Sequence, residues 1–249
     1  MNLCIDQGNS RTKVALFKEN SQLVKSLIYR SFHSTDVERL FNLYPINNSI
    51  ISSVANIEPA VVNALYKLSH TCVLFDHHTP IPIKNCYDTP HTLGQDRLAA
   101  AVGANFLAPK QSLLIIDAGT AITYDVVSDK GEYLGGNIAP GIKMRLTALR
   151  QMTKKLPQVE VDVNQLFPLF GRNTNDAIAA GVVRGVVFEA KGYMRALQEQ
   201  EQKVVTFITG GHAPYICNNI RQEVIEEKNL VLIGLNQILL FNSNNNLQQ

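Results

Sequence analysis

Apolar positions in this chain fall first into short, strand-length runs. Leu3–Asp6 and Lys13–Lys18 read as paired strands around a polar turn at Gln7–Thr12, and Gln22–Tyr29 as a third strand. Val37, Leu40, Phe41 and Tyr44 then recur at helical spacing, which predicts a short helix over Asp36–Tyr44. Ser49–Val54 is a β-branched run, Pro59–Ser69 a helix with proline in its first turn, and Cys72–Phe75 another short strand. The segment DHHTPIPIKNCYDTPHT has three prolines and few large apolar residues, so an extended loop is expected there. Helix resumes in GQDRLAAAVGANFLA.

From Ser112 the pattern starts again with strands LLIID, ITYDVV and EYLGGNI. Two helices follow, about Gly141–Lys155 and Thr174–Gln200, then a strand VVTFIT. NLVLIGLNQILLFN reads as a last strand or turn leading into a helix, and the polar residues from about 242 as a tail too poor in apolar groups to pack. Strands first, then alternating helix and strand, in both halves: the order predicts an α/β sheet covered by helices, made twice. The expected domains are 1–110 and 111–249.

The two openings share more than order. LCIDQGNSRTKVALF and LLIIDAGTAITYDVV each run an apolar strand into Asp, x-Gly and a small polar residue, at Asp6 and again 111 positions on at Asp117. Glycine lets a ligand approach the main chain. Backbone N–H groups and the hydroxyls of Ser10, Thr12 or Thr120 can donate to an anion. The aspartate would repel a phosphate directly, so a cation or a water must lie between them. A nucleotide carried as a metal complex meets that requirement. Either turn alone also reads as an ordinary hairpin with Asp and Gly in turn roles. Two at matching places favour a pair of phosphate hairpins facing a cleft. No G-x-x-x-x-G-K-[ST] and no G-x-G-x-x-G between strand and helix is present, so nucleotide would bind by another route.

Composition narrows the classes. Over 249 residues the chain is 45% apolar and 18% charged, the balance of a soluble globular protein, and a net charge of +2 gives no basic surface for nucleic acid. The four cysteines show no zinc spacing and read as single thiols of a reducing compartment. No signal peptide or bilayer-spanning run is read, so a cytoplasmic protein without membrane contact is expected.

Remaining polar motifs have two readings each. In Gly94–Arg97, GQDR, Asp96 either charges the first turn of a helix or accepts a proton from a substrate hydroxyl attacking a γ-phosphate. Arg97 would then steady developing charge or a substrate anion. The thin helix Ala99–Gly103 suits close packing on another helix or a symmetry mate. GGNIAPG and TGGHAP are glycine turns where flat backbone could also accept a base or sugar. Thr174 is a good N-cap with Asp176 in the first turn. The six histidines show no metal spacing.

Taken in order, DQGNSRTK, TLGQDRLAAAVGA, IIDAGTAITYD, GGNIAPG, GRNTNDAIAAG and TGG resemble the type III pantothenate kinases of the actin-like, sugar-kinase and Hsp70 fold group. The resemblance implies two duplicated actin-like (ribonuclease H-like) domains with a cleft between them. It implies transfer of the ATP γ-phosphate to pantothenate, the first step of coenzyme A synthesis. It carries over an ATP loop of Asp6, Gln7, Gly8, Asn9, Ser10, Arg11, Thr12 and Lys13, with Thr120 contacting ATP from the second hairpin. Asp117 corresponds to the ligand of a monovalent cation, potassium or ammonium, with magnesium accompanying ATP. Asp96 corresponds to the proton acceptor, and Tyr87, Gly94, Gln95, Asp96, Arg97 and Thr174 to pantothenate-holding positions. A homodimer is implied, because the family's pantothenate site is closed by a second subunit. Ser10 stands where threonine is commoner, and Gln95 where a small residue or lysine is frequent. The alternatives are an actin-like kinase of another small hydroxy substrate and a non-catalytic, nucleotide-binding regulatory relative.

Overall fold

The computed structural model describes residues 1–8, 11–53, 57–162, 165–200, 203–220 and 222–246. It divides into two compact units. One comprises 1–109, 131–134 and 229–249, the other 110–130 and 135–228.

The first unit is built on a five-stranded sheet. Its strands are β1 (Asn2–Gln7), β2 (Thr12–Phe17), β3 (Leu23–Tyr29), β4 (Asn48–Ser53) and β5 (Thr71–Leu74), in the order β3-β2-β1-β4-β5. β1 pairs antiparallel with β2 and parallel with β4. Alternation along β1 sends Leu3 and Ile5 to one face, where they pack with Val14, Leu16 and Ile51 under α1 (Ser34–Leu43) and α2 (Pro59–Leu68). Asn2, Cys4 and Asp6 take the opposite face. The Asn2 side chain donates to Asn236 Oδ1 there at 2.9 Å and accepts from Asn48 Nδ2 at 3.1 Å.

Asn236 belongs to α7 (Leu230–Asn246), which packs on β1 and on α3 (Gln95–Leu107). This corrects the expected reading of NLVLIGLNQILLFN as a strand or turn first, and of 242–246 as part of a polar tail: these residues continue the helix, and Asn242 Nδ2 donates to the Pro80 carbonyl at 2.9 Å, while the rest of the expected tail lies outside the described residues. The segment is apolar nearly all round, so it shows little amphipathic signal, yet helix is what a buried helix of this kind looks like in sequence. The thin face of α3 is taken by this helix of the same chain. A Cβ at Gly234 would strike the Ala99 carbonyl, so only a glycine allows the two backbones to meet. For that reason 229–249 groups with the first unit, not with 111–228 as the expected division at Lys110 had it.

The second unit repeats the first. Its strands are β7 (Ser112–Ala118), β8 (Ala121–Val127), β9 (Glu132–Pro140), β10 (Val204–Thr209) and β11 (Ile225–Glu226), in the order β9-β8-β7-β10-β11. Over these five strands the order matches that of the first sheet, and a sixth short strand, β6 (Lys84–Asn85), lies beyond β9. Leu114, Ile116 and Ala118 pack with Ile122, Tyr124 and Ile208 against α4 (Ile142–Met152), α5 (Thr174–Gln198) and α6 (Ala213–Asn219). The sequence pattern did not show α6 or the two-residue β11.

The expected extended loop before α3 carries a two-residue strand, β6 (Lys84–Asn85), which pairs in parallel with Glu132 and Tyr133. Lys84 N donates to the Gly131 carbonyl and Cys86 N to the Tyr133 carbonyl, each at 3.0 Å, and Lys84 Nζ meets Glu132 Oε1 at 2.8 Å. These bonds explain why 131–134 belongs to the first unit.

All four cysteines are free thiols. Burial raises Cys4 and Cys72 and pushes Cys217 up to about 11, so these three stay protonated near neutral pH. Among the described residues no helix is long and apolar enough to cross a membrane.

Candidate active site

Each sheet presents one strand-terminal aspartate, and its neighbours follow from strand register. Asp6 lies opposite Lys13 on β2 and beside Ser52 on β4. Asp117 lies opposite Thr123 on β8 and beside Thr209 on β10. Register partners put their side chains on the same face of a sheet. The first row therefore reads Lys–Asp–Ser, the second Thr–Asp–Thr. Both aspartates are half-buried, and both sit on the face turned away from the core clusters under α1–α2 and α4–α6.

The third member of each row is unusual. Ser52 and Thr209 are 0% and 1% exposed, and neither Ser52 Oγ nor Thr209 Oγ1 has a hydrogen-bond partner. A buried hydroxyl left so costs roughly 1–3 kcal/mol. Here that cost is present twice, at matching places beside the two aspartates.

The second hairpin is also where distant glycine motifs meet. Gly141, the last residue of GGNIAPG, donates its N–H to the Thr120 carbonyl at 3.2 Å. From TGGHAP, His212 N donates to the Ala118 carbonyl at 3.1 Å. Gly210 has φ +91, and a Cβ there would strike Asp117 Oδ1 and the Ala118 backbone. Glycine is needed for both the angle and the space. Thr120 itself is exposed at the turn.

In the first hairpin Gly8 N donates to the Arg11 carbonyl at 3.1 Å and closes the turn. Gln7 and Lys13 are half-buried, Thr12 is buried and Arg11 exposed. Asn9 and Ser10 lie outside the described residues.

The third group lies in the first unit alone. Gly94 is the N-cap of α3, and Asp96 follows in its first turn, where negative charge suits the helix dipole. Asp96 Oδ1 accepts from Arg97 N at 2.9 Å, which fixes the carboxylate. Arg97 is buried, and its guanidinium carbon stands 5.9 Å from the centre of the Tyr87 ring. That ring meets Tyr133 edge-on at 6.1 Å, and Asn85 Oδ1 accepts from Tyr87 N at 3.0 Å. Tyr133 is fully buried and was not singled out from sequence, since only the β6–β9 pairing brings it to Tyr87. Gln95 is half-buried as the first residue of the helix.

Thr174 lies in the second unit, at the rim of a cavity of about 910 Å³ between α4 and the start of α5, with Arg172 and Met152. It is not the N-cap. Asn173 is, accepting from Asp176 N at 2.9 Å, and Thr174 is the exposed first helical residue.

Whether a monovalent cation suits Asp117 is testable on these groups. The carboxylate is flanked in its row by two threonines and no ammonium, one of them carrying a buried, unsatisfied oxygen. Oxygen donors of this kind fit a hard cation. Among the described residues there is no cluster of three His, Cys, Asp or Glu that would hold a transition metal.

Comparison with known proteins identifies the family. Residues 2–196 match the family model described as type III pantothenate kinase. A type III pantothenate kinase of Phocaeicola vulgatus is 42% identical over 244 residues, covering 97% of this chain and 99% of the relative. Among solved structures, a Campylobacter jejuni protein assigned to the Baf family of transcriptional activators aligns with a TM-score of 0.63 at 21% identity, covering 97% and 99% of the two chains. A Sinorhizobium meliloti protein assigned as a 2-dehydro-3-deoxygalactonokinase aligns with a TM-score of 0.56 at 12% identity, covering 96% and 98%. The structural likenesses show the duplicated actin-like fold, and the sequence matches show that the chain belongs to the type III pantothenate kinase family.

Proposed function

We propose that the protein transfers the γ-phosphoryl group of ATP to the terminal hydroxyl of pantothenate, the first step of coenzyme A synthesis. The observation that carries this reading is the Tyr87–Arg97–Asp96 group at the head of α3, in a chain of this family. Asp96 accepts the hydroxyl proton as the oxygen attacks phosphorus, the bond from phosphorus to the β-phosphate bridging oxygen breaks, and ADP leaves. The Arg97 N–H bond to Oδ1 holds the carboxylate in one orientation before substrate arrives. The Arg97 guanidinium, braced on Tyr87, steadies negative charge on the acceptor.

Residues 6–13 and Thr120 hold the nucleotide on this reading, and Tyr87, the Gly94–Arg97 segment and Thr174 hold pantothenate. A monovalent cation at Asp117, potassium or ammonium, supplies positive charge that offsets the carboxylate and the nucleotide phosphates, and magnesium accompanies ATP. The active species is a cytoplasmic homodimer. Exposed Met152, Leu166 and Phe170 on the second unit support an interface there. Light scattering at twice the chain mass is the expected result.

ADP release from ATP and magnesium, with pantothenate as acceptor, tests the reaction. Turnover should depend on pantothenate and be higher in potassium than in sodium. Pantothenate-independent hydrolysis, or none with protein that still binds ATP, would turn the reading toward another acceptor or a regulatory role. Asp96→Asn should bind ATP normally yet turn over about 100-fold or more slowly. Undiminished turnover would remove Asp96 from the proton-accepting role.

A further inference from the structure

We propose that the Thr209 hydroxyl is a second ligand of the monovalent cation at Asp117. The inference rests on the reading of Asp117 as a cation site, and deepens it by naming the neighbouring strand as part of that site.

Three observations converge on Thr209. It is the register partner of Asp117 on the parallel strand β10, so the two side chains share one sheet face. Its hydroxyl is buried and unsatisfied, although Oγ1 has two lone pairs and a proton to place. The residue after it, Gly210, turns at φ +91 and brings the main chain against Asp117 Oδ1, so the strand end is shaped around that carboxylate. A buried hydroxyl oxygen with no protein partner, on the row of a carboxylate, has the chemistry of a cation ligand.

The first unit supplies an internal control. Ser52 stands beside Asp6 as Thr209 stands beside Asp117, and its hydroxyl is equally unsatisfied. There the register partner of the aspartate across the hairpin is Lys13, where the second row has Thr123. On the reading of Asp117 as the cation site only the second row binds the ion, so the paired hydroxyls should differ in their response to potassium.

The test compares Thr209→Val, which keeps the shape and removes the hydroxyl, with Thr209→Ser, which restores it. Ser52→Ala and Asp117→Asn run beside them. Two quantities are measured: the rise in Tm that potassium gives over choline with ADP bound, and the potassium concentration for half-maximal turnover. Thr209→Val should have a Tm in choline at or above the wild-type value, since it loses an unsatisfied group. Its potassium-dependent rise in Tm should shrink, and its half-maximal potassium concentration should increase about tenfold, a shift of one hydrogen-bond-sized contact. Thr209→Ser should return both toward wild type, and Ser52→Ala should leave the potassium midpoint in place.

A wild-type potassium response in Thr209→Val, with the response lost in Asp117→Asn, would overturn the proposal and leave the Asp117 site standing. A response kept in Asp117→Asn as well would overturn both. A Tm of Thr209→Val well below wild type in choline would mean the hydroxyl already has a partner, and would also overturn it. Should that variant fail to fold, Thr209→Ala carries the same comparison.

Discussion

The two hairpins are built alike and charged differently. Each ends a central strand in an aspartate, returns through a short glycine turn, and sets a buried hydroxyl beside the aspartate from the next parallel strand. Across the hairpin, however, the first copy has Lys13 and the second has Thr123. A carboxylate in a half-buried row needs positive charge close by, since an uncompensated charge away from water is costly. The first copy has a lysine at the facing register position. In the second, on the proposed reading, a bound monovalent cation supplies the charge, which would make turnover answer to potassium.

The strongest way to break the comparison is at the aspartates. Asp117→Asn should lower turnover in potassium by about 100-fold, the scale of a lost electrostatic stabiliser, and leave little difference between potassium and sodium buffers. Asp6→Asn should also slow turnover, yet keep the potassium midpoint of the wild type. Equal loss of the potassium response in both would mean the two rows do not divide the work as described.

A smaller effect comes from making the second row resemble the first. Thr123→Lys places a long side chain at a half-buried position, where its stem can lie on apolar surface while the ammonium reaches the carboxylate. The ratio of rates in potassium and sodium should fall about tenfold toward parity, measured by steady-state ADP release. Retained dependence on potassium would show that an ammonium at this position does not replace the ion.

The smallest expected effect sharpens the geometry. Gly210→Ala forces a side chain onto φ +91 and against Asp117 Oδ1, at a cost of about 1–3 kcal/mol in urea unfolding. It should weaken the potassium response in proportion. Full stability and response would mean β10 tolerates a side chain that its backbone angle argues against.

Much of this was legible in the chain. Short apolar runs gave the strands of both hairpins to within a residue or two, because these central strands are buried over most of their length on both faces. Asp6, Asp117 and Asp96 stood out because an acidic residue at a strand end or helix start is chemically conspicuous. Thr209 and Ser52 did not. A threonine in VVTFIT is an ordinary strand residue until its neighbour is known. Tyr133 was equally silent, since β6 is too short to leave a periodic signal. Thr174 was placed one residue off its capping role because Asn173 before it is as good a cap.

The sequence by itself determined the repeated strand–turn–strand openings, the acidic groups and the family, because local periodicity and motif spacing are properties of neighbours along the chain. Tertiary structure decided what stands beside each aspartate, since register between strands far apart in sequence is set by packing and not by either strand alone. It also decided where the last helix belongs: α7 lies at the end of the second half yet packs on α3 and β1 of the first unit, held by the Asn2–Asn236 bond and the close approach at Gly234. An apolar helix states that it will be buried, and only the shape of the surface it meets states where.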